Sequence, residues 1–413
     1  MLDANSFVAA AVEKSAARIL PEPVALSSSG AIAQYARDML KSVRESMTAP
    51  FPRKESPTYT LAQIADLCGL DKAQANYILV NKPGDLPTGT IVGGNRKREF
   101  SQKEAMAWIN HIRPHGTRPV GSPGKKIAVA NSKGGVTKTT TTEALAQGLS
   151  IRGRKVLLVD LDPQASLTTM NGVFADLEVA IEQTIMPLIY GDQEDLRYAV
   201  QKTYWEGIDL IPACGLVSHA DFVLPAMQMQ DKEFEFWDVL NQGLEPLLDE
   251  YDVIIIDTPP TLSYLTLNAI MAADGLIIPS PPNALDYASS IQFWTLFSDF
   301  SKVFMRIAPG LNDKKFDFVN VLISKVEHRQ QATAYVRDWI RMTYKGMVMK
   351  EEISYTGGAL AAAAQFGTPY DVSGYSGENK IYKRTREEYD VLAETVDNQL
   401  MALWEHEETH RGN

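Results

Sequence analysis

The sequence predicts an α/β protein, a mostly parallel sheet with helices on both faces, preceded by a helical extension and a small separate domain. Three observations predict it. From Lys126 onward, short aliphatic runs alternate with helical stretches, the order that gives a parallel sheet covered on both sides. A Gly- and Pro-rich segment, His115-Gly116-Thr117-Arg118-Pro119-Val120-Gly121-Ser122-Pro123-Gly124, sets that part off from what precedes it. The charge divides at the same place: residues 1–126 hold 17 Lys+Arg and 11 Asp+Glu, a net of +6, and the remainder carries −17.

The whole-chain charge of −11 over 413 residues speaks against a nucleic-acid partner when read alone. The split points instead to modules with different partners. The composition, 45% apolar and 22% charged, is that of a folded globular chain and excludes collagen-like and mainly disordered classes. No apolar run approaches the roughly 20 residues a spanning helix needs. The start, Met1-Leu2-Asp3-Ala4-Asn5, has neither the basic nor the apolar region of a signal peptide. Cys68 and Cys214 have no paired spacing, which argues against a disulfide scaffold or a Cys-based metal site. A cytoplasmic setting is expected.

In chain order, Ala31 to Met47 places Ile32, Ala36, Met39, Leu40, Val43 and Met47 at helical spacing and predicts an amphipathic helix. Its stripe must be buried, either on the chain's own next domain or against a second chain. Pro50 and Pro52 end it. The expected division is a helical extension over 1–48, a small domain over 49–120 and the α/β domain over 121–413. Within the last, the strands expected are Ile127-Ala128-Val129-Ala130, Val156-Leu157-Leu158-Val159, Ile208-Asp209-Leu210-Ile211, Val253-Ile254-Ile255-Ile256, Leu276-Ile277-Ile278 and Phe318 to Ile323.

The first of these strands runs into Asn131-Ser132-Lys133-Gly134-Gly135-Val136-Thr137-Lys138-Thr139-Thr140-Thr141-Thr142, with a helix expected over about 143–151. Strand, Gly-rich loop and helix start together make an anion site, because backbone N–H groups converge and the helix dipole favours negative charge. Lys138 is placed to reach β- and γ-phosphates and the Thr139 hydroxyl to coordinate Mg²⁺. Two strands end in carboxylates. Val159-Asp160-Leu161-Asp162-Pro163-Gln164 closes the second, and Ile256-Asp257-Thr258-Pro259-Pro260 closes the fourth. Aspartates at the carboxyl edge of parallel strands face the ligand crevice.

The run Lys133-Gly134-Gly135-Val136-Thr137-Lys138-Thr139-Thr140, with Asp160-Leu161-Asp162-Pro163-Gln164 and Asp257, resembles the deviant Walker ATPases of the ParA/MinD family, over about residues 126–400. The resemblance implies ATP and Mg²⁺ as ligands, and a nucleotide-sandwich homodimer in which Lys133 reaches the partner's ATP. It implies that Asp162 orients the attacking water, that Asp160 supports the magnesium shell and that Asp257 holds Mg²⁺ through water. Residues 133–140 are the expected nucleotide-binding loop. Thr137 departs from the family's usual Gly or Ser, and a β-branched residue resists positive φ. Ile211-Pro212-Ala213 and Pro281 to Ser290 also look like family segments, the second expected near the base or the dimer face.

Residues 59–78 resemble a helix-turn-helix. Ile64 and Ala65 lie in its first helix, Gly69 at the turn, and Leu70, Ala75 and Ile78 in the inter-helix core. The second helix would present Asp71, Lys72, Gln74 and Asn76 to a major groove. Gly93 to Phe100 reads as a hairpin wing carrying Arg96, Lys97 and Arg98, suited to phosphate contacts. Ser101 then caps a helix with Ala105, Trp108, Ile109 and Ile112. Candidate DNA-binding residues are Lys72, Gln74, Asn76, Arg96, Lys97 and Arg98. Helix, winged domain and deviant Walker ATPase in this order resemble the larger ParA proteins, including RepA of RepABC systems.

The aromatic stripe Phe293, Trp294, Phe297, Phe300 and Phe304 is expected in the core. Lys325, Arg329, Arg337, Arg341, Lys345 and Lys350 form one basic run, and Lys380, Lys383, Arg384 and Arg386 another. The family binds DNA non-specifically through basic residues in this region, and a solvated helix face is the alternative. The function expected is a nucleoid-associated DNA-partitioning ATPase acting with a ParB-like protein and repressing its own operon. Two other classes compete. One is a repressor that only senses nucleotide. The other is a membrane-surface ATPase like MinD, whose basic amphipathic end contrasts with the acidic Leu403 to His410 here. An electron-transfer ATPase like nitrogenase reductase would need bridging cysteines.

Overall fold

The computed structural model describes residues 25–47, 54–81, 83–93, 97–112, 116–307, 314–328, 330–358, 362, 366–372 and 377–411. Contacts divide the chain into two units, Met1–Ser46 and Met47–Asn413. Helix α1 (Ser29–Met47) forms where a helix was expected, and of its described side chains Ile32 and Met39 are exposed.

The second unit begins with a small three-stranded sheet and three helices. Strands β1 (Tyr59–Thr60), β2 (Thr90–Val92) and β3 (Lys97–Phe100) pair in the order β1-β3-β2. Helices α2 (Leu61–Leu67) and α3 (Lys72–Asn81) form the helix-turn-helix, and α4 (Gln102–Ile112) follows the hairpin. Each start is fixed by a reciprocal cap. The Thr60 hydroxyl accepts from Gln63 N at 3.3 Å while Thr60 N donates to Gln63 Oε1 at 2.8 Å. Asp71 with Gln74 and Ser101 with Glu104 repeat the device. Gly69 takes φ +64 at the turn, a conformation glycine adopts at little cost.

The large sheet has eight strands in the order β11-β10-β9-β4-β8-β5-β7-β6. They are β4 (Lys125–Val129), β5 (Val156–Asp160), β6 (Gln201–Lys202), β7 (Ile208–Ile211), β8 (Val253–Asp257), β9 (Gly275–Ser280), β10 (Phe318–Val326) and β11 (Val348–Ser354). All pairings are parallel except that of the edge strand β6 with β7. All six expected strands are present, and β6 and β11 are additional. Alternate residues face opposite sides. Ala128, Leu157, Val159, Ile254 and Ile256 enter one core, and Ile127, Val129, Val156, Leu158, Val253 and Ile255 the other.

Helix α5 (Lys138–Ser150) and the long α7 (Lys383–Arg411) cover the second face. Their Ala144, Leu145, Leu149, Leu392, Val396 and Trp404 share that core with Phe100, Trp108 and Ile109 of the small domain. At about 25 cal/mol per Å² of apolar surface, such large buried side chains dominate the packing energy. Among the described residues no helix is long and apolar enough to cross a membrane.

On the first face, α6 (Ala284–Ile307) buries Phe293 fully and packs Trp294, Phe297 and Phe300 against the core. The stripe is therefore core, as expected. The side chain of Phe304 lies outside the described residues.

Candidate functional site

Strand order places the site. β8 lies between β4 and β5, so Val129, Asp257 and Asp160 stand side by side in register at the strand ends. The phosphate-loop residues leave β4 beside this row, where the strand order reverses and ligand crevices form in open α/β sheets. Helix α5 begins at Lys138, five residues earlier than the sequence suggests. The Thr-rich stretch is weakly helical by propensity, but it is held by the loop before it and by Asp257.

The loop is bound from both ends. Asn131 donates from Nδ2 to the Pro279 carbonyl at 2.9 Å and accepts from Lys133 N at 3.0 Å. Gly135 takes φ +73 and Thr137 takes φ +77. The β-branched residue thus does occupy the left-handed region, at a cost of about 1–2 kcal/mol. Lys138 donates from Nζ to the Lys133 carbonyl at 3.0 Å, and burial lowers its pKa. Gly134 has Pro260 close by, where an added Cβ would lie 3.7 Å from the proline Cβ. Val136 is buried and Thr140 half-buried.

The carboxylates form a tight acidic row. Thr139 Oγ1 donates to Asp257 Oδ2 at 2.7 Å and Thr142 Oγ1 to Asp257 Oδ1 at 3.2 Å. Asp160 accepts from Asp162 N at 3.1 Å, from Thr168 N at 2.9 Å and from Thr168 Oγ1 at 2.7 Å. Burial raises the pKa of both Asp160 and Asp257, and for Asp257 the facing Asp160 adds to it. Burial also raises that of Asp162, which accepts from Gln164 N at 2.9 Å. A cation among these groups would relieve the repulsion. A cavity of about 430 Å³ opens beside them, lined by Lys138, Thr139, Asp162, Met170, Lys325 and Tyr389 among others.

Lys133 is 42% exposed and its Nζ lies 4.0 Å from Asp286 Oδ1 at the start of α6. The segment from Pro281 to Ser290 therefore reaches the loop's outer side. Residues at the site that the sequence reading did not single out are Asn131, Thr142, Thr168 and Tyr389. Lys325 was grouped with surface basic residues, but it lines the cavity. Arg337 and Arg341 both pair with Glu352, Arg384 with Glu388 and Arg386 with Asp390. Arg329 lies outside the described residues.

In the small domain the candidates separate. Lys72 is exposed. Gln74 caps its own helix, and Asn76 donates from Nδ2 to the Lys72 carbonyl at 2.7 Å. Lys97 is exposed and pairs with Glu99 at 2.7 Å. Arg98 is half-buried and donates from Nη1 to the carbonyls of Thr88 and Gly89, bracing the base of the hairpin. Arg96 lies outside the described residues.

A second polar cluster lies behind α5. Lys54 donates from Nζ to the carbonyls of Met170 and Phe366, at 2.8 and 3.0 Å, and to Asp371 Oδ2 at 3.0 Å. Glu143, fully buried, accepts from Asn171 Nδ2 at 2.7 Å.

A central β-strand that passes through a glycine-rich loop into a helix, flanked by strand-end aspartates, defines a phosphate-loop nucleotide-binding protein. The comparisons agree. A family model described as an AAA domain matches residues 124–306. Protein SopA of Escherichia coli K12 is 31% identical over 323 residues, covering 75% of this chain and 79% of that one. A solved partition protein superposes with a TM-score of 0.63 at 18% identity, over 91% of this chain and 98% of its own. Cobyrinic acid a,c-diamide synthase of Mycobacterium smegmatis, solved with ADP and magnesium, matches with a TM-score of 0.51 at 28% identity, over 66% of this chain and 94% of its own. The chain belongs to the ParA/MinD family of partition ATPases.

Proposed function

We propose that the chain binds and hydrolyses ATP with Mg²⁺, closes on ATP into a homodimer through Lys133, and in that form binds nucleoid DNA non-specifically. A ParB-like protein on the segregated plasmid or replicon then stimulates hydrolysis and releases the dimer. The winged domain reads an operator and represses the chain's own operon in the ADP or apo form, and α1 pairs with its copy in the apo protein. The single observation that carries the nucleotide reading is the Thr139–Asp257 hydrogen bond at 2.7 Å beside the phosphate loop.

The donor set fits the proposed ligands. Loop N–H groups and the start of α5 suit phosphate oxygens. The Thr139 hydroxyl and the carboxylates of Asp257 and Asp160 are hard oxygen donors of the kind Mg²⁺ takes. Among the described residues no group of three or more His, Cys, Asp or Glu side chains forms a metal site by itself. Mg²⁺ is commonly held through one or two carboxylates together with substrate phosphates. When bound, the ion neutralises charge on the phosphate oxygens. Lys138 holds the phosphates, Asp162 orients the attacking water, and Lys133 supplies a cation across the dimer. Because phosphoryl transfer rests on positioning and charge stabilisation, turnover without the partner is slow.

The solved relative with ADP and magnesium supports the ligand assignment, and the SopA likeness supports the partition role. Phosphate release measured with DNA and the ParB-like protein of the same replicon tests the reading. Lys133→Gln is expected to keep measurable ATP affinity and lose the stimulation. Full stimulation in that variant would remove Lys133 from the cross-dimer role.

A further inference from the structure

β10 is irregular where it passes the phosphate loop. Against β11, Ile323 aligns with Glu352 and Val326 with Ser354, so β10 spends three residue steps where β11 spends two. The interval contains Ser324 and Lys325. Lys325 stands at φ +54, in the left-handed region that a Cβ disfavours. An extra residue in a strand bends it and re-aims a side chain, and such bulges recur beside active sites.

Here the bulge turns both residues onto the loop. Lys325 Nζ donates to the Gly135 carbonyl at 2.6 Å, and the buried Ser324 Oγ donates to the Val136 carbonyl at 3.1 Å. These are consecutive carbonyls of the phosphate loop. Because the peptide unit is planar and trans, fixing the Gly135 carbonyl fixes the direction of Val136 N–H. Fixing the Val136 carbonyl does the same for Thr137 N–H. A backbone strain kept at a non-glycine residue, together with a bond to the loop, is the pattern of a functional constraint.

We propose that Lys325 is a positioning residue of the nucleotide site: the β10 bulge delivers its ammonium to the Gly135 carbonyl and so holds the phosphate loop in its anion-binding shape. The proposal rests on the ATP-binding reading above. It separates Lys325 from the neighbouring basic residues, of which Arg337 and Arg341 are tied to Glu352.

Lys325→Gly removes the ammonium and relieves the left-handed backbone at once, so the two effects oppose each other. ATP affinity and the thermal midpoint of the nucleotide-free protein are measured for wild type, Lys325→Gly and Lys325→Arg. The expected result is a midpoint unchanged or raised in the Gly variant, with ATP affinity lowered roughly tenfold and partly restored by Arg. Wild-type affinity in Lys325→Gly overturns the proposal. So does a parallel loss of midpoint and affinity that Arg fails to rescue, because that marks a merely structural residue. A wild-type chain that binds no ATP refutes the underlying reading instead and takes this proposal with it.

Discussion

Thr139 and Asp257 are joined by a 2.7 Å hydrogen bond that ties the first turn of α5 to the end of β8. In register with Asp257 stands Asp160, and the two buried carboxylates repel each other. The row is therefore unfavourable by itself, and a cation held there would offset it. Asp257→Asn is expected to leave the ligand-free protein as stable as wild type or more so, since it removes the repulsion. The same variant is expected to lose the strengthening of ATP binding by Mg²⁺. Titrations of ATP with and without Mg²⁺ check this, and an undiminished Mg²⁺ effect contradicts it.

Thr137 carries a strained backbone at φ +77. Glycine adopts that conformation freely, although it adds freedom to the unfolded chain and removes the Thr137–Thr141 hydroxyl contact at 3.3 Å. The net expectation for Thr137→Gly is a gain of about 1 kcal/mol, read by chemical denaturation. A loss of stability would show that the hydroxyl contact outweighs the strain.

Glu143 is buried and its pKa is pushed up from 4.5 to about 7, chiefly by burial. Lys54 lowers it and Asp371 raises it, and the half-buried Tyr204 and the buried Asn171 complete its surroundings. Among the described residues, Glu143 Oε1 and Asn171 Oδ1 are both buried acceptors without a hydrogen-bond partner, which a proton on Glu143 would help to satisfy. The folded state therefore binds that proton more tightly than the unfolded state. The contribution is fully present below about pH 4.5 and is lost as pH rises through about 7. Glu143→Gln should flatten the stability profile across that window and stabilise the protein at pH 8, by at most about 3 kcal/mol. A profile identical to wild type would contradict the assignment.

The wing candidates do not have equal roles. Lys97 is exposed, whereas Arg98 braces the hairpin through Thr88 and Gly89. Replacing Arg96, Lys97 and Arg98 together by Ala is expected to weaken operator binding and reduce its salt dependence. Lys97→Ala alone should lower the salt slope by about 1 with the thermal midpoint unchanged. Footprints taken across a salt series check both, and an unaltered slope removes the wing from the interface.

The buried parallel strands were legible because they are continuous aliphatic runs, as in Val253 to Ile256. β11 was not, since Val348 to Ser354 places Lys350, Glu351 and Glu352 in the strand and reads as polar. The phosphate loop stood out in the sequence by its Gly-rich run between a strand and a helix, and the aspartates by their place at strand ends together with the family resemblance. The role of Lys325 was not, because it depends on one extra residue in β10 and on what that bulge faces. Helical position alone did not show that Gln74 Oε1 accepts from Asp71 N or that Asn76 Nδ2 donates to the Lys72 carbonyl. The pairing of Arg337 and Arg341 with Glu352 was not legible either, because Glu352 lies in β11, the strand that reads as polar.

The central claim is that ATP gates DNA binding by a chain whose net charge is −11. The most direct measurement is equilibrium binding to random-sequence DNA in the apo, ADP and Mg²⁺–ATP states, with operator DNA measured beside it. Tight, salt-sensitive binding to random DNA with ATP alone, and operator preference with ADP or no nucleotide, is the predicted result. Equal affinity for random DNA in all three states would contradict it.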